Sequence, residues 1–165
     1  MTPPQKPGRS RQDYATPPAF VRAVEQMLGI EHFDVDLAAS RENTVAPCYF
    51  TEADDALARD WIKDSLPASV PRFGWLNPPY SRIKPWVEKC DEEAERGLRI
   101  AALLPAAVGA SWCARHVHGK AFVLFLRPRL VFVGETAPYP KDLMLCLYDG
   151  PRVGHATWDW KGGTR

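Results

Sequence analysis

The sequence predicts a single α/β domain whose sheet is mostly parallel, with an antiparallel hairpin at one edge. Two patterns indicate this class. Continuous apolar runs, typical of buried strands, alternate along the chain with segments in which apolar residues recur at helical spacing. Near the C-terminus, three strand-like runs follow one another closely, which favours an antiparallel hairpin. The length of 165 residues is that of one domain with a sizeable core.

The first part of the chain predicts a basic arm, a helix and a short strand. Residues 1–12 contain proline, glycine and basic residues but little apolar surface, so we expect a flexible basic arm. Thr16 is a candidate N-cap with Pro17 in the first helical position, and Gly29 is a candidate helix end. Residues 33–37 then form a predicted strand.

The central part predicts two strands that flank a helix. Residues 72–77 form a strand that ends in Asn77. Ser81 is a candidate cap for the following helix, and Gly97 is a candidate end of that helix. The continuous apolar run at 99–105 predicts a central strand that is buried on both faces.

The remaining predicted elements are two short helices and three strands. The helices are expected at 54–62 and 109–117, and the strands at 121–126, 130–133 and 143–148. From residue 150 onward the chain is rich in turn-forming residues. These patterns divide the chain into the basic arm, a domain at 13–150 and a C-terminal tail at 151–165.

Composition argues against several classes of protein. No apolar run approaches the ~20 residues that cross a membrane, and the N-terminus lacks the apolar centre of a signal peptide. The four cysteines are not closely spaced in pairs, which favours reduced thiols over disulfides or a zinc site. We therefore expect a cytoplasmic protein with no membrane partner and no metal, and we leave its oligomeric state open between a monomer and a weak dimer.

Charge is unevenly distributed along a chain whose net charge is only +1. Residues 31–60 carry eight acidic and two basic residues, whereas residues 96–134 carry six basic residues and no acidic residue. The second stretch is typical of a surface that faces a polyanion such as DNA, although ordinary surface patterning gives the same asymmetry. The candidate phosphate contacts in it are Arg115, Lys120, Arg127 and Arg129.

The most informative feature is the sequence Asn77-Pro78-Pro79-Tyr80, directly after a predicted strand. Methyl transfer to the exocyclic amine of a base requires acceptors for the amine hydrogens and an aromatic face for the extruded base. The side-chain oxygen of Asn77, a proline carbonyl and the ring of Tyr80 provide these groups. The two prolines also remove backbone donors, so the turn presents carbonyl oxygens. The alternative is a proline-rich turn without a chemical role.

A second candidate, Asp36, falls at the end of the predicted strand at 33–37. In parallel sheets, ligands bind in the crevice outside the carboxyl ends of the strands. Asp36 and Asn77 both lie at such ends, so we expect the two side chains to face the same crevice.

Five segments occur in a fixed order along the chain. They are Asp13-Tyr14-Ala15-Thr16-Pro17, Phe33-Asp34-Val35-Asp36-Leu37-Ala38-Ala39-Ser40, Asp54-Asp55-Ala56-Leu57 with Trp61, Trp75-Leu76-Asn77-Pro78-Pro79-Tyr80-Ser81, and Leu103-Leu104-Pro105-Ala106. This ordered set resembles the phage-type DNA N-6-adenine methyltransferase (Dam) family, over nearly the whole predicted domain. Asn-Pro-Pro-Tyr alone is shared by many S-adenosylmethionine-dependent enzymes, whereas the ordered set is much more specific.

The resemblance implies a Rossmann-like, S-adenosylmethionine-dependent methyltransferase fold with one antiparallel strand in its sheet. It implies S-adenosylmethionine as cofactor and DNA as partner, with the Asn-Pro-Pro-Tyr residues as the catalytic group. The implied cofactor contacts are Tyr14, Thr16, Asp36, Ala38 and Asp55. Members of this general class usually carry a glycine-rich turn after the first strand. Here that turn is Ala38-Ala39-Ser40, whose small side chains still permit a close approach.

The implied activity is direct methyl transfer from S-adenosylmethionine to the exocyclic amino group of a flipped adenine in DNA. Cytosine, RNA and protein glutamine remain alternative acceptors, because each presents a planar amine, and a catalytically inactive DNA-binding module is a further alternative. The intact Asn-Pro-Pro-Tyr sequence together with Asp36 and Asp55 favours an enzyme. Asparagine at the first position favours adenine over cytosine, as a tendency of the family.

Overall fold

The computed structural model describes residues 14–65 and 73–162. Within these ranges the chain forms three α-helices and a seven-stranded sheet. The helices are α1 (Pro18–Leu28), α2 (Ile83–Glu95) and α3 (Ser111–His116). The strands are β1 (Val35–Asp36), β2 (Cys48–Tyr49), β3 (Phe73–Leu76), β4 (Arg99–Pro105), β5 (Phe122–Arg127), β6 (Leu143–Tyr148) and β7 (Gly154–Asp159). The predicted basic arm at 1–12 lies outside the described residues.

The strands follow the order β2-β1-β3-β4-β6-β5-β7 across the sheet. β1 pairs in parallel with β2 and with β3, β3 pairs in parallel with β4, and β5 pairs in parallel with β7. Among the described strands, β6 alone runs in the opposite direction, and it is antiparallel to both β4 and β5. The predicted α/β class and mostly parallel sheet are therefore confirmed.

The predicted antiparallel pairing near the C-terminus is confirmed, since β5 and β6 are antiparallel neighbours, but its predicted position at the sheet edge is wrong. β6 lies in the interior of the sheet, and the edge position beyond β5 belongs to β7, which pairs with β5 over six residues. All six residues of β6 are buried. A strand can bury six consecutive side chains only when it is paired on both sides and covered on both faces, so this sequence favours the interior.

β7 also contradicts the prediction of a turn-rich segment after residue 150. Within Gly154–Asp159, the side chains of Ala156 and Trp158 are half-buried against the core, and their neighbours in sequence are exposed. This period of two is typical of a strand with one covered face. A glycine at the start and polar residues on the exposed face hide the pattern in the sequence.

The predicted strand at 130–133 does not form. Its alternation is real, because Leu130 and Phe132 are buried while the residues beside them are exposed. The backbone nevertheless bonds outside the sheet, and the N–H of Val133 donates to the carbonyl of Ala15 at 3.1 Å. Since β6 and β7 occupy both sides of β5, the sheet has no open position beside β5 for this segment.

α1 ends where the sequence predicts. Gly29 at its C-terminal end has a φ of 68°, in the left-handed region that glycine tolerates best. The prediction that Thr16 caps the helix is wrong, since α1 begins at Pro18, Pro17 occupies the cap position and no side chain caps the helix. Thr16 is buried instead, and its hydroxyl binds a residue of the candidate site described below.

The predicted helix at 54–62 is replaced by two short 3₁₀ turns, Glu52–Asp54 and Ala56–Ala58. Asp55 separates them with a φ of 49°, which interrupts a right-handed helical path. The buried Trp61 fixes the second turn, because its indole N–H donates to a carbonyl of that turn at 2.7 Å.

Helices α2 and α3 lie close to their predicted positions. α2 begins after the 3₁₀ turn Tyr80–Arg82, so Ser81 lies inside this turn rather than at the predicted cap. Gly97 follows the end of α2 with a φ of 105°. The predicted helix at 109–117 is confirmed over the six residues of α3.

The sheet separates two apolar cores. Ile100, Ala102 and Leu104 of β4 pack on the face covered by α2 and α3, and Ala101 and Leu103 pack on the face covered by α1. The prediction that β4 is buried on both faces is therefore confirmed. No helix within 14–65 and 73–162 is long and apolar enough to cross a membrane.

Candidate active site

The carboxyl ends of β1, β2, β3 and β4 meet at one edge of the sheet, here called the carboxyl edge, because these strands are parallel. Asp36 ends β1 and Asn77 follows β3, so the two residues lie on neighbouring strands. The N–H of Leu37 donates to the carbonyl of Trp75 at 2.9 Å and joins these strand ends. Gly74 allows the close packing, since a Cβ there would lie 3.0 Å from Leu37 Cδ1.

Asn77 is held by the segment that precedes α1. Its Nδ2 donates to the carbonyl of Tyr14 at 2.9 Å and to Oγ1 of Thr16 at 3.1 Å. These two bonds engage the amide nitrogen and fix the plane of the side chain. The side-chain oxygen of Asn77 makes no hydrogen bond within the described part of the chain. This oxygen therefore remains available as a positioned acceptor. Tyr14 and Thr16, two of the implied cofactor contacts, lie against the amide nitrogen of Asn77.

The two prolines that follow differ in their carbonyl groups. The carbonyl of Pro79 accepts from the N–H of Arg82 at 3.3 Å inside the 3₁₀ turn. Among the described residues no donor binds the carbonyl of Pro78, whose ring is buried. Pro78 therefore offers the second acceptor of the turn, next to the side-chain oxygen of Asn77.

Tyr80 lies between the two apolar cores. Its ring is packed against both, and its hydroxyl donates to the carbonyl of Leu103 at 3.3 Å. Burial raises the pKa of the Tyr80 hydroxyl well above its ordinary value of 10.0, and the neighbouring Tyr139 adds to this. The phenol is therefore neutral at physiological pH.

Four rings at the carboxyl edge form an aromatic cluster, and they are Tyr14, Tyr80, Phe132 and Tyr139. Tyr14 stacks on Phe132 with ring centroids 4.9 Å apart. Tyr139 meets the other three edge-on at 5.5 to 5.9 Å. Sequence analysis missed the last two members, because the alternation at 130–133 predicts a strand and the half-buried Tyr139 follows it in a loop.

Asp36 orders the turn after β1. Its carboxylate is buried and accepts from the N–H of Ala38 at 3.3 Å and from the N–H of Val45 at 3.0 Å. Desolvation raises the pKa of this carboxyl group from 3.8 to about 6, against the two hydrogen bonds, which lower it. The carboxylate thus holds both ends of the loop at 38–45 in place.

We expect this raised pKa to appear in the pH dependence of stability. The folded protein holds the Asp36 proton more tightly than the unfolded chain does. The contribution of this proton to the free energy of unfolding is therefore complete below pH 3.8 and is lost as the pH rises through about 6. The free energy of unfolding of the wild type, relative to Asp36→Asn, should fall by up to about 3 kcal/mol over this range. Urea unfolding of both proteins at several pH values measures it. A difference that stays constant with pH would contradict the assignment.

Ser40 and Asp55 carry unused polar groups at the same edge. Ser40 Oγ, in the turn after β1, is buried and has no hydrogen-bond partner among the described residues. Asp55 lies in the segment that follows β2, and its side chain is exposed. The small Ala38 is half-buried beside Asp36. A polar ligand at this edge would therefore meet an unsatisfied hydroxyl, a free carboxylate and a side chain that permits close approach.

The four predicted phosphate contacts do not share one surface. Arg127 ends β5 and Arg129 follows it, which places both at the carboxyl edge, since β5 runs parallel to β4. Lys120 precedes β5 and lies at the opposite edge, and Arg115 is near it at the end of α3. The topology of the sheet thus divides the predicted basic surface into two pairs.

Three of these cations already have carboxylate partners. Lys120 Nζ lies 3.0 Å from a carboxylate oxygen of Asp91 and 3.0 Å from one of Glu95, and both partners raise the pKa of its amine. At the carboxyl edge the pairs are exposed, with Arg129 3.0 Å from Asp142 and Arg127 3.8 Å from Asp159. Exposed pairs of this kind contribute little to stability and exchange readily for another anion.

His116, at the end of α3, belongs to a polar cluster with Asp91 and Lys120. Nδ1 of His116 lies 2.9 Å from Asp91 Oδ2, which also binds Lys120, and this cluster joins α2 to α3. No group of three or more potential ligands is close enough to hold a metal ion within the described ranges.

The fold and this site define an α/β protein with an Asn-Pro-Pro-Tyr turn at the carboxyl edge of its sheet, where proteins of this architecture bind their ligands. The model of the DNA N-6-adenine-methyltransferase (Dam) family matches residues 4–142. The match covers most of the chain, and the protein therefore belongs to this family.

Two relatives from phages are similar over most of the chain. A DNA N-6-adenine-methyltransferase of Escherichia phage T1 is 31% identical over 144 residues, which cover 87% of this chain and 57% of the phage protein. A DNA N-6-adenine-methyltransferase of Haemophilus phage HP1 (strain HP1c1) is 28% identical over 145 residues, which cover 82% of this chain and 78% of the phage protein. The chain thus spans little more than half the length of the phage T1 relative. No solved structure gives a significant match.

Proposed function

We propose that the protein transfers a methyl group from S-adenosylmethionine to the exocyclic amino group of adenine in DNA. The observation that carries this proposal is the geometry of Asn77, whose amide nitrogen is engaged by Tyr14 and Thr16. Family membership supports the same activity, since both phage relatives are named for it. Because both relatives come from phages, we expect the substrate DNA to lie in the cytoplasm of a bacterial host.

The two hydrogen-bond acceptors of the Asn-Pro-Pro-Tyr turn would make the adenine amine a better nucleophile. The lone pair of the adenine amine is delocalised into the ring and is a weak nucleophile. Hydrogen bonds from the amine to Asn77 Oδ1 and to the carbonyl of Pro78 would hold the nitrogen in a geometry that returns the lone pair to it. Such bonds strengthen as positive charge develops on the nitrogen, so they favour the transition state over the ground state. The buried ring of Pro78 keeps the two acceptors in place.

An adenine inside a duplex cannot reach this turn, so we infer that the base is flipped out before it reacts. The ring of Tyr80 offers the stacking face. Tyr139 meets that ring edge-on, with the centroids 5.9 Å apart and the planes at 70°, and it would limit where the base can lie. The hydroxyl bond from Tyr80 to Leu103 fixes the tilt of the ring.

The cofactor would occupy the remaining part of the carboxyl edge. When bound, S-adenosylmethionine supplies an electrophilic methyl group on a sulfonium sulfur. Asp36 would act by holding the turn at 38–45 in shape, Ala38 would allow close approach, and Asp55 offers a free carboxylate to an amino group. The unsatisfied hydroxyl of Ser40 fits a ligand with polar groups at this turn. Tyr14 and Thr16 border the site from the other side.

A labelled-methyl assay tests the proposed activity. The protein is incubated with S-adenosylmethionine labelled in its methyl group and with DNA, and the DNA is then digested to nucleosides. We expect the label in N6-methyldeoxyadenosine. Label in N4-methylcytosine would assign the activity to the other exocyclic amine. Label in neither nucleoside, with intact cofactor binding, would favour an inactive DNA-binding module.

The division of the basic surface predicts which cations bind DNA phosphates. Arg127→Gln with Arg129→Gln, at the carboxyl edge, should lower the slope of log affinity against log salt by roughly 0.9 for each phosphate that the variant no longer neutralises. The matched control is Arg115→Gln with Lys120→Gln at the opposite edge, which should leave the slope unchanged. Titrations of duplex DNA at several salt concentrations measure both. A reduced slope in the control alone would move the DNA to the opposite edge.

A further inference from the structure

Exposed valines are concentrated at the carboxyl edge. Four large apolar side chains are exposed among the described residues, with exposed fractions of 68% for Val108, 40% for Val131, 49% for Val133 and 50% for Val153. Val108 follows β4, while Val131 and Val133 follow β5, so these three lie at the edge that carries Asn77. Val153 precedes β7 and lies at the opposite edge.

Val108, the most exposed of them, stands at the tip of a tight turn. The turn is closed by a hydrogen bond of 2.9 Å from the N–H of Ala110 to the carbonyl of Ala107, which places Val108 and Gly109 in its two central positions. The N–H of Ala106 anchors the base of the turn by donating to the carbonyl of Asp142 at 2.9 Å. The side chain is thus presented to solvent from a fixed backbone, one strand away from the Asn-Pro-Pro-Tyr turn.

Val131 and Val133 are also rigidly held. Val131 and Val133 flank Phe132, which is buried and stacked on Tyr14 of the aromatic cluster. The N–H of Val133 is tied to the carbonyl of Ala15. Arg129 lies on the same segment, so an apolar surface and a cation face outward from one loop beside the site.

We propose that Val108 is a wedge that enters the DNA duplex at the place vacated by the extruded adenine, and that Val131 and Val133 contact the duplex further along the same edge. This rests on the proposed function, because only a base-flipping reaction leaves such a gap. Apolar side chains that insert between base steps are a known means of stabilising distorted DNA. A valine suits the purpose, since its β-branched side chain loses little rotational freedom on insertion.

The charge around the valines favours DNA over an apolar protein partner. Arg127 and Arg129 lie at the same carboxyl edge, beside Val131 and Val133 in sequence, and their carboxylate partners are exposed and therefore replaceable by phosphate. A surface that binds a protein partner does not have to lie beside the Asn-Pro-Pro-Tyr turn. A wedge must lie there, because the gap that it fills is next to the extruded base.

The experiment compares the wild type, Val108→Ala and Val153→Ala on three DNA substrates that share one target adenine. The substrates are the paired duplex, the same duplex with a mismatch opposite the target, and the single strand. We expect Val108→Ala to lower kcat/KM on the paired duplex by about tenfold, the effect of losing two buried methyl groups. The mismatched duplex and the single strand should be methylated at rates close to those of the wild type, since their target base is already unpaired.

Both valines are exposed, so neither substitution disturbs the core, and Val153→Ala controls for the loss of an exposed valine at the opposite edge. The melting temperatures of both variants check their folding. Fluorescence of 2-aminopurine at the target position should rise on binding of the wild type and rise less with Val108→Ala. Equal losses of Val108→Ala on all three substrates, or no loss on the paired duplex, would overturn the wedge. Failure of the wild type to methylate any of the three would instead overturn the proposed function.

Discussion

Replacement of Asn77 by alanine should remove nearly all methyl transfer while leaving the protein folded. The change deletes the positioned acceptor at the carboxyl edge, which is needed most in the transition state, and we expect kcat to fall by about 100- to 1,000-fold. Binding of S-adenosylmethionine, measured by calorimetry, should change little. Single-turnover assays with labelled cofactor at saturating DNA give the rate constant of methyl transfer itself, separate from binding and product release.

Thr16→Val is the matched control for this variant. It removes the hydroxyl that accepts from Asn77 Nδ2 but leaves the bond from Nδ2 to the Tyr14 carbonyl and the acceptor oxygen of Asn77 in place. The loss of one hydrogen bond should lower the rate by up to about tenfold. Near-normal turnover of Asn77→Ala would contradict the assignment of this residue, whereas equal losses in both variants would mean that the fixed plane of the amide is what matters.

Tyr80 should show a large difference between two substitutions. Tyr80→Phe retains the stacking face and loses only the long hydroxyl bond to Leu103, so its activity should remain within about threefold of the wild type. Tyr80→Ala removes the ring, and the loss of about 1–3 kcal/mol of stacking should lower kcat/KM by about fivefold to 150-fold. Steady-state kinetics on one duplex compare the two variants.

Tyr80→Ala also opens a cavity between the two apolar cores, so its stability must be measured separately. Phe122→Ala is a suitable control, because Phe122 is half-buried at the start of β5, at the edge of the sheet opposite the carboxyl edge. Its melting temperature should fall while kcat/KM at a lower temperature stays close to that of the wild type. Equal damage by Tyr80→Phe and Tyr80→Ala would assign the role to the hydroxyl rather than to the ring.

The sequence was most informative where local and long-range preferences agree. The apolar run at 99–105 could only be accommodated at the centre of a sheet, and β4 lies there with both faces covered. Gly29 ends α1 because a left-handed residue is needed at that position whatever packs around it. The Asn-Pro-Pro-Tyr turn could be located for the same reason, since a strand end and two fixed φ angles determine its position.

The errors arose where an interaction with a distant residue decides the outcome. Thr16 is a good local cap, but its hydroxyl accepts instead from a side chain 61 positions away. The segment at 130–133 has the alternation of a strand, yet the positions beside β5 are occupied by β6 and β7. Tyr139 could not be placed in the site from sequence, because only the folded loop brings its ring to Tyr14 and Tyr80.

The position of β6 has a consequence for the order in which the protein can fold during its synthesis. Through its hydrogen bonds, β6 joins the part of the sheet that contains β1 to β4 to the part that contains β5 and β7. The paired residues of β4 and β6 are far apart in sequence: Pro105 and Leu143 are separated by 38 positions, and Ile100 and Tyr148 by 48. Until residue 148 has left the ribosome, the nascent chain holds an open edge on β4 and an unattached β5. Completion of the sheet is therefore a late step, and the apolar strands synthesised before it are the part of the chain most in need of a chaperone.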